Sequence, residues 1–169
     1  MDSATPHTRS LRKGRHSALN QIYLVTFCAT DRRPRFIDWR SGSSVVNELR
    51  RSQIEGKAET LCYVVMPDHV HWLLRLLSGE LSALIRSIKS RSAIQYNHHA
   101  GTSGAIWQSG FHDHAVRNYE EVRALARYVV ANPLRKGLVT EIGHYPLWDA
   151  VWLDGDHRGQ VRSFNPLFV

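Results

Sequence analysis

Two histidines separated by one residue, His69 and His71, lie in an apolar run of strand-forming residues over 61–74. Side chains alternate between the two faces of a strand, so both imidazoles project from the same face and can bind one metal ion. Val70 between them points to the opposite face, into the core. The spacing therefore predicts half of a metal site on a rigid strand.

A second pair with the same spacing, His112 and His114, flanks Asp113 on a predicted edge strand. No phenol or amide follows it at a helical spacing that would complete a site. We therefore predict that this pair faces solvent or nucleic acid rather than a metal.

A helix is predicted over 118–131, with Asn118 as its N-cap and Pro133 as its stop. Its apolar residues recur on one stripe, namely Val122, Leu125, Ala126, Val129 and Val130. At about 100° per residue, Tyr128 and Asn132 lie side by side at the edge of this stripe. If the helix packs over the histidine face, Tyr128 can reach the site and the Asn132 amide oxygen can serve as a third metal ligand. Otherwise Tyr128 only packs at the edge of the stripe, and Asn132 only ends the helix before Pro133.

These residue types together predict phosphoryl-transfer chemistry. A divalent ion held by two imidazoles and an amide oxygen keeps open positions for a phosphate oxygen. A free tyrosine has a pKa of about 10, so its phenol needs such help to attack a phosphodiester. The product would be a phosphotyrosine link and a free hydroxyl, and strand rejoining would need no ATP.

The charge of the chain favours a nucleic-acid partner. Its 169 residues include 22 Lys and Arg against 15 Asp and Glu, a net charge of +7. This excess favours a polyanion, with nucleic acid ahead of a membrane surface, although a soluble protein that happens to be basic is the alternative. The candidate phosphate contacts are Arg12, Lys13, Arg15, Arg32, Arg33, Arg35, Arg86 and Lys89. Trp107 and Phe111 either stack on unpaired bases or pack in the core.

The elements that must position these residues alternate in type. The pattern predicts a strand over 21–28, a helix over 43–57, two strands on either side of Pro67 and Asp68, a helix over 80–99, a strand over 106–116 and the helix over 118–131. The order strand, helix, strand, strand, helix, strand is that of an α+β ferredoxin-like sandwich with an antiparallel sheet. The last helix is an addition to it. The first and third strands are then central neighbours.

The chain length suits one domain. We expect a basic N-terminal arm over 1–18, a single catalytic domain over 19–147 and an irregular tail over 148–169. Cys28 and Cys62 are predicted to be reduced core residues. No segment has the length and apolarity of a membrane span or a signal peptide, so we expect no membrane partner and a cytoplasmic, nucleoid-associated protein.

Four ordered motifs resemble the REP-associated tyrosine transposases, a branch of the single-tyrosine HUH transposases. They are residues 10–15, residues 65–71, Trp107-Gln108 with the following Phe111 and Asp113, and residues 128–138. The resemblance extends over about residues 8–147, with the motifs in the same order and at similar spacing. It implies the ferredoxin-like fold of HUH nucleases.

The resemblance also implies roles for particular residues. His69 and His71 would bind Mg²⁺ or Mn²⁺ with help from Asn132, and Tyr128 would be the nucleophile. The substrate would be single-stranded DNA beside a REP-like hairpin, cleaved through a 5′-phosphotyrosine by a monomer or a homodimer. A hairpin-binding protein of the same fold that does not cleave is the alternative. A rolling-circle initiator or relaxase would share the histidine pair but usually has a longer chain.

Overall fold

The computed structural model describes residues 17–151. Nearly all of the predicted arm and most of the predicted tail lie outside the described residues. Nine helices and strands of at least three residues, apart from short 3-10 turns, make up this part of the chain: β1 Ile22–Cys28, α1 Trp39–Ile54, β2 Ala58–Met66, β3 His69–Leu76, α2 Leu81–Ala100, β4 His112–Ala115, α3 Tyr119–Val130, α4 Asn132–Arg135 and β5 Trp148–Ala150.

One five-stranded sheet has the order β4-β1-β3-β2-β5, and every neighbouring pair is antiparallel. The first four strands have the ferredoxin-like order, and β5 extends the sheet beside β2. The predicted fold class is therefore confirmed, including the central position of β1 and β3. The strands β2 and β3 are joined by a tight turn at Pro67 and Asp68, as the sequence indicated.

The helix termini follow from local side chains. Asp38 caps α1 by accepting a hydrogen bond from the Ser41 backbone N–H, and Ser41 accepts one in return from Asp38. This capping box starts α1 at Trp39, four residues before the predicted start at Ser43. The helix α2 ends at Gly101, whose φ of 64° is left-handed and favours glycine.

The two faces of the sheet are covered by different helices. The helices α1 and α2 pack together over one face, where Val25, Phe27 and Trp72 are buried. The helix α3 crosses β2 and β3 on the other face and buries Val122 and Val129. This second face is the one toward which the histidine pair projects.

Two predicted boundaries are wrong. The fourth strand was predicted over 106–116, but its ladder with β1 is limited to His112–Ala115. Trp107 forms only an isolated bridge with Ala29, and the left-handed φ of 80° at Gly110 interrupts the extended backbone between the two segments. The irregular tail was predicted from residue 148, but β5 pairs with β2 there. Leu147 anchors this pairing. Its buried side chain occupies the space that a Cβ atom on residue 42 of α1 would take, so the glycine at that position allows the close packing.

Cys28 and Cys62 are both unpaired and buried, in agreement with the sequence. Among the described residues, no helix is long and apolar enough to cross a membrane.

Candidate active site

The histidine pair lies at the start of β3, in the centre of the sheet. His69 and His71 are 8% and 9% exposed, and their ring centroids are 4.8 Å apart. Their cross-strand neighbours on β1 are Cys28 and Thr26. The predicted convergence of the two imidazoles on one face is therefore present.

Each imidazole has a hydrogen-bond partner at Nδ1. The Nδ1 of His69 lies 2.6 Å from Oδ1 of Asp68, and the Nδ1 of His71 lies 2.7 Å from the Thr26 hydroxyl. When Nδ1 carries the proton and donates it to these oxygens, Nε2 is left with a free lone pair for a metal ion. Arg32 in turn lies 3.4 Å from Asp68.

The electrostatics of this face favour a neutral His71. Burial lowers the pKa of His71 to about 4, with smaller contributions from His69, Arg32 and Arg135. A neutral imidazole is the form that binds metals, so His71 is ready to act as a ligand near pH 7. Burial raises the pKa of Asp68, but the hydrogen bond with His69 and the charges of His69 and Arg32 outweigh it and leave that pKa below its ordinary value. Asp68 is therefore an anion that holds His69.

Tyr128 reaches this site from α3. Its ring centroid is 5.8 Å from that of His71, and its side chain is 41% exposed. The apolar stripe of α3 packs on the sheet and holds the tyrosine at the edge of the packed interface. The phenol is thus close to the histidine pair and open to a substrate from solvent.

Asn132 lies one turn beyond Tyr128, at the start of α4, and is buried. Its amide nitrogen donates to the backbone carbonyls of Tyr128 at 2.9 Å and Val129 at 3.4 Å. These bonds fix the amide orientation and leave the side-chain oxygen as the atom that can bind a ligand.

The donor chemistry fits a divalent ion with open positions. Within residues 17–151, no group of three or more His, Cys, Asp or Glu side chains is arranged to hold a metal. A site here must therefore combine the two Nε2 atoms with an amide oxygen and with oxygens from substrate or water. Such a set of nitrogen and oxygen ligands would bind Mg²⁺ or Mn²⁺ more weakly than a complete set of protein ligands would. It leaves coordination positions open for a phosphate.

The predicted phosphate contacts have different surroundings. Arg12, Lys13 and Arg15 lie outside the described residues. Arg33 and Arg86 are exposed. The guanidinium of Arg35 lies 6.0 Å from the Tyr96 ring centroid.

Lys89 is held by the loop before β4. Its ammonium donates to the backbone carbonyls of Gln108 and Gly110, each at 2.7 Å. Its contact with DNA stays a prediction, and the structure gives it a role in fixing this loop.

The prediction that Trp107 stacks on bases is wrong. Trp107 is 8% exposed, lies 4.8 Å and 5.0 Å from the ring centroids of Phe27 and Phe36, and donates from its indole N–H to Ser92. These contacts place it in the core, which was the alternative reading of its sequence position. Phe111 also packs against the core but is only partly buried.

The second histidine pair is exposed on β4, and the Nε2 of His114 lies 2.5 Å from Oε1 of Glu121. Two further residues of the first site were missed by sequence reasoning. Thr26 is a polar residue in the otherwise apolar run of β1, and this break in the pattern was a usable signal. Arg135 follows Tyr128 by seven residues, two helical turns, and its guanidinium lies 4.5 Å from the Tyr128 ring centroid.

Known proteins are similar to this chain in both sequence and fold. Residues 17–132 match the family described as Transposase IS200 like. The REP-associated tyrosine transposase of Escherichia coli strain K12 is 33% identical over 111 residues, which cover 64% of this chain and 61% of that protein. The chain thus matches about three fifths of the length of that relative.

Solved structures give the same result. The structure of the REP-associated tyrosine transposase bound to a REP hairpin has a TM-score of 0.66, 25% identity and coverage of 79% of both chains. A crystal structure from Deinococcus radiodurans R1 has a TM-score of 0.50 and 20% identity, covers 72% of this chain and 96% of that one, and supports the fold alone. Together with the matched residues, these similarities confirm the resemblance seen in the sequence: the chain belongs to the IS200-like transposase family and is similar to the REP-associated tyrosine transposases.

Proposed function

We propose that this protein is a metal-dependent endonuclease and strand transferase that acts on single-stranded DNA beside REP-like hairpins. The observation that carries the proposal is the position of the Tyr128 ring, 5.8 Å from His71 on the face where both imidazoles converge. An exposed phenol beside paired metal-binding nitrogens is the arrangement that nucleophilic attack on a phosphodiester requires.

In the proposed reaction, the Tyr128 oxygen attacks the phosphorus atom and the bond from phosphorus to the 3′ oxygen breaks. The phenol loses its proton to solvent, and the departing 3′ oxygen gains one. The products are a 5′-phosphotyrosine and a free 3′ hydroxyl. The reverse attack by a 3′ hydroxyl rejoins or transfers the strand with the same balance of bonds.

The residues around Tyr128 prepare this step. A bound Mg²⁺ or Mn²⁺, held by Nε2 of His69 and His71 and by the Asn132 oxygen, would polarise the phosphate and offset its charge. Thr26 and Asp68 orient the two imidazoles, and the packed stripe of α3 fixes the direction of the phenol.

The hairpin substrate is inferred from a relative. The similar solved structure is bound to a REP hairpin, and this chain has the net positive charge that binding to DNA phosphates requires. Exposed cations such as Arg33 and Arg86 would contact the backbone without reading its sequence. Tyr128 lies beside His71 of its own chain, so one chain holds the whole proposed site. We therefore infer that a monomer is the active unit even if two copies associate.

The test is a covalent-adduct assay with labelled hairpin oligonucleotides that carry single-stranded flanks. With Mn²⁺, the wild-type protein should form a product that runs as a protein–DNA adduct on a denaturing gel. Tyr128→Phe should bind the same DNA without cleavage or adduct. Tyr119→Phe is the matched control, since Tyr119 is an exposed tyrosine on the same helix and should behave as wild type.

Cleavage by Tyr128→Phe at the wild-type rate would contradict the nucleophile assignment. A wild-type protein that binds the hairpin but forms no adduct with Mg²⁺ or Mn²⁺ would favour the alternative, a hairpin-binding protein that does not cleave.

A further inference from the structure

Arg135 is held over the ring of the proposed nucleophile. Its Cζ atom lies 4.5 Å from the Tyr128 ring centroid, within the range of a cation–π contact. The short helix α4 fixes its backbone, since the Arg135 N–H donates to the Ala131 carbonyl at 3.0 Å and Pro133 is buried. The backbone of Arg135 is therefore fixed by α4, and its guanidinium contacts the ring of Tyr128.

Among residues 17–151, the Tyr128 ring is the partner that the structure gives to the charge of Arg135. The side chain is exposed, and no carboxylate in the described part of the chain makes an ion pair with it.

We propose that Arg135 is a catalytic residue that binds the scissile phosphate beside Tyr128 and stabilises its negative charge during the attack. The proposal rests on the proposed nicking function and adds a residue to it. The non-bridging oxygens of the phosphodiester carry negative charge in the substrate, and the entering phenol oxygen adds more. A guanidinium held over the phenol ring offers up to five N–H donors in a planar fork to a phosphate that approaches Tyr128.

The first measurement is the single-turnover rate of adduct formation at saturating Mn²⁺ and DNA. Loss of one preorganised donor to a reacting oxyanion costs on the order of 10²-fold in rate, which is our expectation for Arg135→Gln. Arg135→Lys should fall between this variant and wild type, because it keeps the charge and loses the fork. Arg123→Gln removes the same charge from an exposed position of α3 and should leave the rate unchanged.

The second measurement separates phosphate contact from ring packing. In a Tyr128→Phe background, which keeps the ring, binding is compared for an oligonucleotide with a natural scissile phosphate and one with a neutral methylphosphonate at that position. The cleavage site is first mapped from the wild-type adduct. Arg135→Gln should weaken binding of the phosphate oligonucleotide by roughly 10-fold, as expected for a hydrogen bond to a charged group, and should not change binding of the methylphosphonate.

The possible failures are distinct. If wild type forms the adduct and Arg135→Gln forms it equally fast, the role of Arg135 is wrong and the nicking function stands. Equal weakening of both oligonucleotides would show that Arg135 only positions the ring, which also overturns the proposal. If wild type forms no adduct at all, the proposed function fails and the role of Arg135 fails with it.

Discussion

Two His-x-His pairs project from the same face of one sheet, on strands separated only by β1. The pair on β3, His69 and His71, is buried beneath α3, whereas the pair on β4, His112 and His114, is exposed at the sheet edge. Thr26 of β1 is the cross-strand neighbour of both His71 and His112, so the two pairs share a row of the sheet. At the usual spacing of strands, about 10 Å separates them.

The comparison shows that spacing sets the direction of two imidazoles but not their chemistry. On β3, Nδ1 of each ring contacts an oxygen, and a phenol stands over the pair. On β4, His114 makes its contact through Nε2, the nitrogen that the central pair leaves to a ligand, and its partner is Glu121 at the start of α3. The contacts of the central pair are compatible with the proposed metal binding, whereas His114 of the edge pair connects a strand to a helix.

The largest expected effect is the difference between removing a histidine of the central pair and removing one of the edge pair. His71→Ala should abolish metal-dependent adduct formation, because one of only two imidazole ligands is lost. Binding of hairpin DNA should persist with the same salt dependence, since counterion release comes from Lys and Arg contacts. His112→Ala, the matched change on β4, should cleave at the wild-type rate in the same gel assay.

Equal loss of cleavage in both variants would remove the distinction between the pairs. It would mean that His112 takes part in the reaction despite its exposed position.

A smaller effect is expected from the residue between the two pairs. Thr26→Val removes the oxygen at Nδ1 of His71 and should lower metal affinity or cleavage rate by about 10- to 100-fold, as is usual for the partner of a metal-binding histidine. Thr26→Ser keeps the hydroxyl and should retain most of the activity. The measurement is the Mn²⁺ concentration that gives half-maximal adduct formation, and similar values for Thr26→Val and wild type would contradict the orienting role.

The residues of the central site were predictable because their geometry is local. Strand alternation alone brings His69 and His71 to one face, and helix periodicity alone places Tyr128 at the edge of an apolar stripe. The packing of that stripe over the histidine face depends on the fold, which the order of elements indicated. In contrast, the contact between Thr26 and His71 is set by the register of β1 on β3, which no local pattern specifies.

Other features of the molecule depend on tertiary contacts that the sequence alone does not show. For Trp107 the sequence left base stacking and core packing open, and contacts with Phe27 and Phe36 place it in the core. The DNA contact of Lys89 stays a prediction, and its bonds to two backbone carbonyls could not be seen in the sequence because they depend on the path of the loop before β4. The strand β5 is only three residues long, too short for its own sequence to indicate a strand. It forms because the edge of β2 is open to pairing.

The smallest expected effect concerns the edge pair and its link to α3. Glu121 accepts a hydrogen bond from the Arg117 N–H at 2.8 Å and contacts His114, and these bonds, in that order, hold its pKa below the ordinary value of 4.5. A carboxylate whose pKa is lowered by folding stabilises the fold fully above its unfolded pKa and loses this effect as the pH falls further. Glu121→Gln should therefore lower the melting temperature slightly at pH 7, and the difference from wild type should shrink below about pH 4.5.

The neighbouring exposed carboxylate provides the control. Glu120→Gln removes a charge from the same first turn of α3, so it loses the same favourable interaction with the helix dipole without the two contacts of Glu121. If thermal melts of the two variants coincide from pH 3 to 7, the link between β4 and α3 contributes nothing beyond that dipole effect. A larger loss for Glu121→Gln that disappears in acid would show that the contacts of Glu121 with Arg117 and His114 stabilise the start of the helix that carries Tyr128.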